Sequence, residues 1–398
     1  MPGGPESLLV DRARRAWPMP IDIVLDGIPE SVRADACAAA LRARPGAVLF
    51  LSGGRAVLAA ACGDLRSFVP ARLRGEGHRA GLAPVVDRVL ACEAGSGFEA
   101  DWAQWVIARA VLPEAWRAAC ARRRVFAVHL DPESSVPACR VGRLDEVSAS
   151  ADSAAVIGPF GTRRAAEAFA RLAEERFSLC REPSLLAKRP DAVACAYKDM
   201  GKCPAPCDGS EPMESYRSRA REAVAFARSR RDGMLAGVEA SMREAAAALD
   251  FERAAALNEE IGLLRAAGGR AGAWATTMDR FAVLGVLPSG RRGVARLALH
   301  DRGVTRWLGE FTADEAAEAL DGLGSALVNG GASWSTDHAE GVGLVCAHLF
   351  SGRRTRGSFL RVDGPADPAD VERAIRRAGG VEADAPGSVE RVETGDAG

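Results

Sequence analysis

The sequence of 398 residues predicts an α+β protein with several domains. At roughly 100–200 residues a domain, this length has room for about two to four of them. Hydrophobic residues make up 48% of the chain and charged residues 26%, which is typical of globular proteins with buried cores. Short apolar runs beside turn residues alternate with helical patterns, so we expect strands and helices in the same units.

Charge and hydropathy exclude several classes of protein. The chain has 52 Lys and Arg against 53 Asp and Glu, which excludes a generally basic nucleic-acid coat. No apolar run approaches the ~18 residues of a membrane span, and residues 1–17 lack the apolar core of a signal peptide. Ten cysteines are too few for a secreted disulfide scaffold. We therefore expect a soluble cytoplasmic protein without a membrane partner.

The first third of the chain predicts a β-hairpin between helices. Apolar runs at 47–51 and 56–59 lie on either side of Gly53-Gly54, a turn sequence typical of hairpins. Asp64 is placed to cap the N-terminus of the next helix, and another helical pattern covers residues 98–112.

Composition shifts and turn residues divide the rest of the chain. A second hairpin is expected from apolar runs at 281–287 and 293–299. We assign, in order, an N-terminal leader at 1–32, an α/β domain at 33–117, a connecting α/β region at 118–178, a cysteine-cluster region at 179–212, a helical hairpin at 213–268, a second α/β segment at 275–364, and an acidic, disordered tail with one short helix at 365–398.

Four cysteines share one short polar segment. They follow the spacing C-x14-C-x7-C-x3-C, at Cys180, Cys195, Cys203 and Cys207. Converging thiolates suit a soft tetrahedral centre, either Zn²⁺ or an iron–sulfur cluster. The segment lacks the paired CxxC spacing of a zinc ribbon, and scattered buried cysteines are the simpler alternative.

The helical stretch from 213 to 266 is expected to break near Leu249-Asp250-Phe251. Beyond the break, apolar residues recur at intervals of three and four, at Ala254, Leu257, Ile261 and Leu264. This spacing is typical of a seam between two helices, and Leu249 and Phe251 are expected to cover the end of the pair. The spacing leaves two possibilities open: a hairpin packed inside its own domain, or an exposed hairpin that docks on a partner.

Three stretches together resemble the UvrC family, the endonuclease subunit of bacterial nucleotide excision repair. They are the sequence GPFGTRRA at 158–165, the cysteine segment, and the pattern AAxxLDFExAAxLxxxI that ends at Ile261. The resemblance covers roughly residues 156–266. It implies that the four cysteines hold an iron–sulfur cluster of the four-iron four-sulfur type, with zinc as the alternative. It also implies that the helical hairpin is a UVR motif, which pairs with a UvrB-like protein on damaged DNA.

By the same resemblance, residues 33–117 are similar to a GIY-YIG nuclease domain that has lost its catalytic groups. Val48 and Leu58 stand where the family has tyrosines, Phe68 where it has arginine, and Gln104 where it has a metal-binding glutamate. The first 187 residues contain no tyrosine at all. Since an amide cannot replace the charge of a carboxylate on Mg²⁺, we expect no catalytic residue in this domain.

Residues 275–364 are similar only to the opening hairpin of the family's RNase H-like nuclease. The adjacent pair Asp337-His338 is isolated, and we interpret it as a surface loop. The resemblance therefore implies a nuclease-dead repair protein that acts by binding a UvrB-type partner on damaged DNA. Two alternatives are a diverged active endonuclease, and a regulator that depends on an iron–sulfur cluster or zinc.

Overall fold

The α+β class predicted from the sequence is confirmed. The computed structural model describes residues 5–76, 80–116, 124–147, 155–228, 232–328, 336–351, 357–362 and 367–381. In this part of the chain, helices pack against three antiparallel sheets of four strands each. We call the parts built on them the first unit (5–116), the second unit (124–277) and the third unit (278–381).

The first unit has a sheet in the order β1-β4-β2-β3. Its strands are β1 Ile21–Val24, β2 Gly46–Ser52, β3 Arg55–Cys62 and β4 Arg88–Glu93. The predicted hairpin is confirmed as β2 and β3, which pair from Gly46 and Cys62 to the turn. Gly53 and Gly54 both adopt positive φ there, at 53° and 73°, a conformation that glycine reaches without a steric penalty.

Helices cover both faces of this sheet. They are α1 Pro5–Ala16, α2 Glu30–Ala40, α3 Leu65–Arg74 and α4 Gly97–Val111. Successive residues of β2 point to opposite faces, so Ala47 and Leu49 pack with α1 and α4 while Val48 and Phe50 pack with α2 and α3. Asp64 caps α3 as predicted, because its carboxylate accepts hydrogen bonds from the first turn.

The segment before residue 33 is part of the first unit rather than a separate leader. Strand β1 pairs antiparallel with β4, and Asp22 of β1 forms ion pairs with Arg14 and Arg88. Val10 and Ala13 of α1 are buried in the same core as α4. The prediction of a separate leader is therefore wrong. The pairing could not be recognised from the local sequence, because the partners of β1 lie more than sixty residues further along the chain.

The second unit has a sheet in the order β6-β5-β7-β8. Its strands are β5 Phe126–His129, β6 Arg140–Arg143, β7 Val156–Phe160 and β8 Thr276–Thr277. Its helices are α5 Leu144–Val147, α6 Arg163–Arg176, α7 Pro183–Leu186, α8 Ala196–Asp199, α9 Met213–Arg228, α10 Asp232–Ala247 and α11 Phe251–Gly268, with a 3₁₀ turn at Pro206–Asp208. Thr162 caps α6, whose buried Phe169 and Leu172 share a core with Tyr216 of α9.

The stretch predicted as one helix pair contains three helices. The break near Leu249 is confirmed between α10 and α11, but a further break separates α9 from α10. The first of the three belongs to the core of the second unit, because its residues Tyr216, Ala220 and Ala223 are fully buried there. The hairpin itself is therefore α10 and α11 alone.

The third unit has a sheet in the order β11-β10-β9-β12. Its strands are β9 Ala282–Pro288, β10 Val294–Asp301, β11 Val304–Thr312 and β12 Ser358–Arg361. Its helices are α12 Ala316–Val328, α13 Thr336–Leu349 and α14 Pro368–Ala378, with 3₁₀ turns at Met278–Arg280 and Ala313–Glu315. The predicted hairpin at 281–299 is confirmed as β9 and β10.

Two expectations about the third unit change. Helix α14 belongs to its core and not to a tail, because Val371, Ala374 and Ile375 are buried against the sheet; residues 382–398 lie outside the described part. The pair Asp337-His338 lies in the first turn of α13 and not in a loop. Among the described residues, no helix is both long and apolar enough to span a membrane.

The first and third units share one hydrophobic core. Phe98 and Trp102 of α4 are buried together with Leu287 of β9 and Leu344 of α13. A buried ion pair between Glu99 and Arg296 also joins α4 to β10. The two units are thus packed against each other through α4.

Candidate functional sites

Backbone hydrogen bonds within the cysteine segment fold it back on itself. The N–H of Cys203 donates to the carbonyl oxygen of Tyr197 at 3.1 Å, and the N–H of Ala192 donates to that of Cys207 at 3.2 Å. Cys195 stands immediately before α8. Between the last two cysteines, Ala205 adopts a positive φ of 59°, which turns the chain sharply. The segment therefore returns each of its later cysteines toward its earlier part.

The thiols of this segment are mostly shielded from solvent. Cys180, Cys203 and Cys207 are buried, and Cys195 is half-buried. The Cys180 thiol donates to the carbonyl oxygen of Glu182 at 3.4 Å. The interaction between the thiols of Cys180 and Cys203 lowers the pKa of Cys203 to about 6 and raises that of Cys180. Among the described residues, no three Cys, His, Asp or Glu side chains already stand in the geometry of a single metal ion.

Tyr216 fixes the start of the segment to the second unit. Its hydroxyl group donates to the carbonyl oxygen of Pro137 at 2.7 Å and accepts from the N–H of Cys180 at 3.2 Å. Arg219, one turn further along α9, pairs with Glu211 and donates to the carbonyl oxygen of Phe177 at 2.9 Å. Neither residue was predicted from the sequence to support the cysteines. Tyr216 could have been found as one of two tyrosines in the chain, close to the cysteines.

The base of the helical hairpin is packed inside the second unit. Ile261 and Leu264 of α11 are buried, and Leu264 belongs to the core of that unit. Arg176 of α6 forms an ion pair with Glu260 at 2.7 Å. Ala254 and Leu257, nearer the tip, are only half-buried. At the base of the hairpin, the predicted seam is thus a contact inside the second unit.

The tip of the hairpin projects into solvent. Leu249 and Phe251 are 71% and 68% exposed, although they were expected to cover the end of the helix pair. Leu249 forms the turn with a positive φ of 59°, and Asp250 caps α11 by accepting from the N–H of Arg253 at 3.1 Å. This geometry holds two large apolar side chains outward on a short, well-capped turn.

Three of the positions that the resemblance aligns with nuclease residues lie in one apolar cluster. Val48 is buried, and Leu58 and Phe68 pack partly buried against the same core on the α2 and α3 face of the sheet. Gln104 is not brought to them. It lies on α4 at the opposite face, buried, and its amide donates to the carbonyl oxygen of Ala59 at 3.3 Å.

The two acids nearest to Gln104 in sequence are engaged elsewhere. Glu99 accepts from the N–H of Gly95 at 2.8 Å and pairs with Arg296 of the third unit. Burial raises the pKa of Glu99, and Arg296 opposes this rise. Asp101 contacts Nε2 of His348 at 2.9 Å. Both carboxylates therefore serve the contact between the first and third units.

Comparison with known proteins identifies the middle of the chain. Residues 135–226 match the family model "UvrC/Cho excinuclease, middle domain". This range runs from the approach to β6 to the end of α9 and contains all four clustered cysteines. The first unit and the α10–α11 hairpin lie outside it.

Several proteins named UvrABC system protein C are similar to part of the chain. The chain is 37% identical over 115 residues to UvrABC system protein C of Thermus thermophilus, which covers 29% of this chain and 19% of the relative. It is 33% identical over 112 residues to the protein of that name from Desulforudis audaxviator, covering 28% and 18%. The corresponding protein of Salinispora arenicola is 41% identical over 73 residues, covering 18% and 11%.

These matches cover part of each protein only. The matched part of the chain spans about a fifth or less of the length of these relatives. No solved structure matches. The resemblance found from the sequence is confirmed, and it rests on the middle domain.

Proposed function

Since residues 135–226 match the UvrC/Cho middle domain, we propose that the chain acts in nucleotide excision repair as a UvrC-like protein that does not cut DNA itself. One observation carries this proposal. Residues 135–226 match the middle domain of the family and contain the four cysteines, whereas Val48, Leu58 and Phe68, which the resemblance aligns with nuclease residues, are apolar and packed.

The argument against cutting is chemical. Hydrolysis of a phosphodiester with Mg²⁺ needs carboxylate or other oxygen ligands and a group that activates water. Val48, Leu58 and Phe68 offer neither, and the amide of Gln104 is neutral and bound to a backbone carbonyl group. Glu99 and Asp101 hold the third unit in place instead. A diverged active endonuclease would need a different set of groups.

We further propose that the four cysteines hold an iron–sulfur cluster. Thiolate donors suit iron–sulfur centres, and the backbone hydrogen bonds from Cys203 to Tyr197 and from Ala192 to Cys207 bring distant parts of the segment together. Burial of three of the four thiols would exclude solvent from the group. Such a cluster would cross-link the segment, which Tyr216 already ties to the second unit. Zinc is the alternative occupant.

The tip of the α10–α11 hairpin is proposed as the surface that binds a UvrB-like protein. Leu249 and Phe251 expose apolar area on a turn whose base is fixed in the second unit. Burial of that area against a second apolar surface would stabilise the complex at ~25 cal/mol per Å². This arrangement needs no rearrangement of the hairpin, because the side chains already project outward.

Incision of a lesion-bearing duplex tests the proposal. Purified UvrA and UvrB are supplied with this protein as the UvrC-like component, in the presence of Mg²⁺ or Mn²⁺. We expect no nicking, together with retention of UvrB on the immobilised protein. Nicking that Gln104→Ala abolishes would show a working active site and would refute the proposal.

Two variants of the hairpin test the proposed binding of UvrB. Phe251→Asp should release UvrB, because it places a charge in the contact. Ala256→Asp changes an exposed residue of the same helix away from the tip and should retain it. Equal retention of UvrB by both variants would contradict the proposed surface.

A further inference from the structure

A cavity of about 530 Å³ lies between the first and third units. Its walls come from the start of α4, the turn between β9 and β10, the start of β12 and the end of α14. The volume falls within the ~300–1,000 Å³ that is usual for pockets that bind small molecules. None of the residues in its walls belongs to the cysteine segment or the hairpin.

One wall of the cavity is aromatic. Phe98, His348 and Phe359 line it. The ring of Phe98 lies 5.1 Å from that of His348 and 5.7 Å from that of Phe359, measured between centroids. Asp101 orients His348 through the contact at 2.9 Å. Phe98 is only 2% exposed and meets both rings edge to face, so it supports them from the core. His348 and Phe359 thus form a fixed surface for a planar, apolar group.

A second part of the cavity wall attracts an anion. The β9–β10 turn contributes Arg291 and Arg292. The guanidinium group of Arg291 forms an ion pair with the carboxylate of Glu310 at 3.0 Å. Arg292 is exposed, and no ion pair of its guanidinium group is found within the described ranges. Its charge is therefore available to a ligand.

The start of α4 adds backbone donors at the same side. Ser96 caps the helix by accepting from the N–H of Glu99 at 3.1 Å. The N–H groups of Gly97 and Phe98 precede that bond and have no partner within the helix. Gly95 and Gly97 carry no side chain that would shield them. The charge of Glu99 is balanced by Arg296.

We propose that this cavity binds a nucleotide. The base lies against His348 and Phe359, which Phe98 supports from the core, and the phosphate group is bound by Arg292 and the first N–H groups of α4. A planar ring and a charged phosphate on one molecule match the two sides of the cavity, since aromatic side chains stack on any base and Arg pairs with phosphate oxygens. A free nucleotide and the phosphorylated end of a DNA strand present the same chemistry. The proposal does not depend on the repair role.

Calorimetric titration of the full chain with adenosine 5′-monophosphate tests the proposal. We expect one site per chain, with adenosine and inorganic phosphate each binding at least about tenfold more weakly, because each makes contacts on one side only. Arg292→Ala should weaken binding of the nucleotide about tenfold. Arg66→Ala removes an exposed arginine on α3, outside the cavity, and should have no effect.

A second variant tests the aromatic wall. Phe359→Leu should weaken binding of the nucleotide and leave that of inorganic phosphate unchanged, with its fold checked by circular dichroism. The proposal is overturned if the nucleotide does not bind at about 1 mM, or binds Arg292→Ala as tightly as the unaltered protein. Phosphate that binds as tightly as the nucleotide would also overturn it.

Single-stranded oligonucleotides separate the two sources of the ligand. Tighter binding of an oligonucleotide with a 5′-phosphate than of the same strand without it supports a strand end. Binding of the mononucleotide without binding of either strand supports a free nucleotide.

Discussion

The hydroxyl group of Tyr216 accepts a hydrogen bond from the N–H of Cys180 at 3.2 Å. The same hydroxyl group donates to Pro137, so one buried phenol joins α9, the cysteine segment and the loop before β6. The first cysteine of the segment is thereby positioned by the core of the second unit.

Tyr216→Phe should destabilise the protein by about 1–3 kcal/mol, because it leaves a buried N–H and a buried carbonyl oxygen unpaired. Chemical denaturation measures the free energy of unfolding. Tyr197→Phe is the matched control, since Tyr197 lies less buried beneath the guanidinium group of Arg181. Equal losses in the two variants would contradict the role of the Tyr216 hydroxyl group.

If the four cysteines hold a metal centre as proposed, Cys203→Ala should remove the bound metal and should loosen residues 180–207. Metal analysis gives the content, and visible absorbance separates iron–sulfur from zinc. The control is Cys346→Ala, which alters a buried cysteine of the third unit far from the segment in sequence. Unchanged metal content in Cys203→Ala would refute the ligand assignment.

The two ends of the hairpin should respond differently to the same substitution. Ile261→Asp buries a charge at the base and should cost several kcal/mol of stability. Phe251→Asp alters an exposed side chain and should change stability by less than about 0.5 kcal/mol while it weakens UvrB binding. Thermal unfolding and a pull-down measured side by side check both. Strong destabilisation by Phe251→Asp would mean that the tip is part of a core.

Glu174 should make stability depend on pH. Burial raises its pKa from 4.5 to about 7, although Arg181 and Arg171 oppose this shift. Between pH 4.5 and about 7 the folded protein therefore keeps this carboxyl group protonated while the unfolded chain releases the proton. Stability is full below pH 4.5 and falls as the pH rises from 4.5 to about 7.

Glu174→Gln should remove this loss. The variant should be more stable than the unaltered protein at pH 8, by about 1–2 kcal/mol because part of the carboxyl group reaches solvent, and equally stable at pH 4. Glu175→Gln removes an exposed neighbour that contributes less than burial does to the raised pKa of Glu174, and it should show a much smaller crossover. The midpoints of denaturant unfolding at pH 4 and pH 8 measure the stability of each variant and of the unaltered protein. A constant difference between Glu174→Gln and the unaltered protein at both pH values would contradict the assigned cause.

Local features of the fold were predictable from the sequence because local chemistry determines them. Gly53-Gly54 predicted the β2–β3 turn, since both residues adopt positive φ. Asp64 predicted a helix start, since its carboxylate accepts hydrogen bonds from the N–H groups two and three residues further on. Strand β1 was missed because its partner β4 is distant in sequence, and nothing within Ile21–Val24 records that pairing.

The candidate sites divide in the same way. The spacing of the cysteines indicated a common site, but the support from Tyr216 comes from a helix that was assigned to the hairpin. Periodicity correctly indicated a seam in α11, with Ile261 and Leu264 buried. It could not show that Phe251 projects outward, because the spacing of apolar residues does not record what covers them.

The contact between Asp101 and His348 sets an order of events during synthesis. These residues are 247 positions apart, and they close the core that the first and third units share. At the usual elongation rate of ~5–20 residues per second, roughly 10 to 50 s pass between the two. During that time α4 has one of its faces exposed on the ribosome. The unit that is translated first is therefore among the last to complete its core.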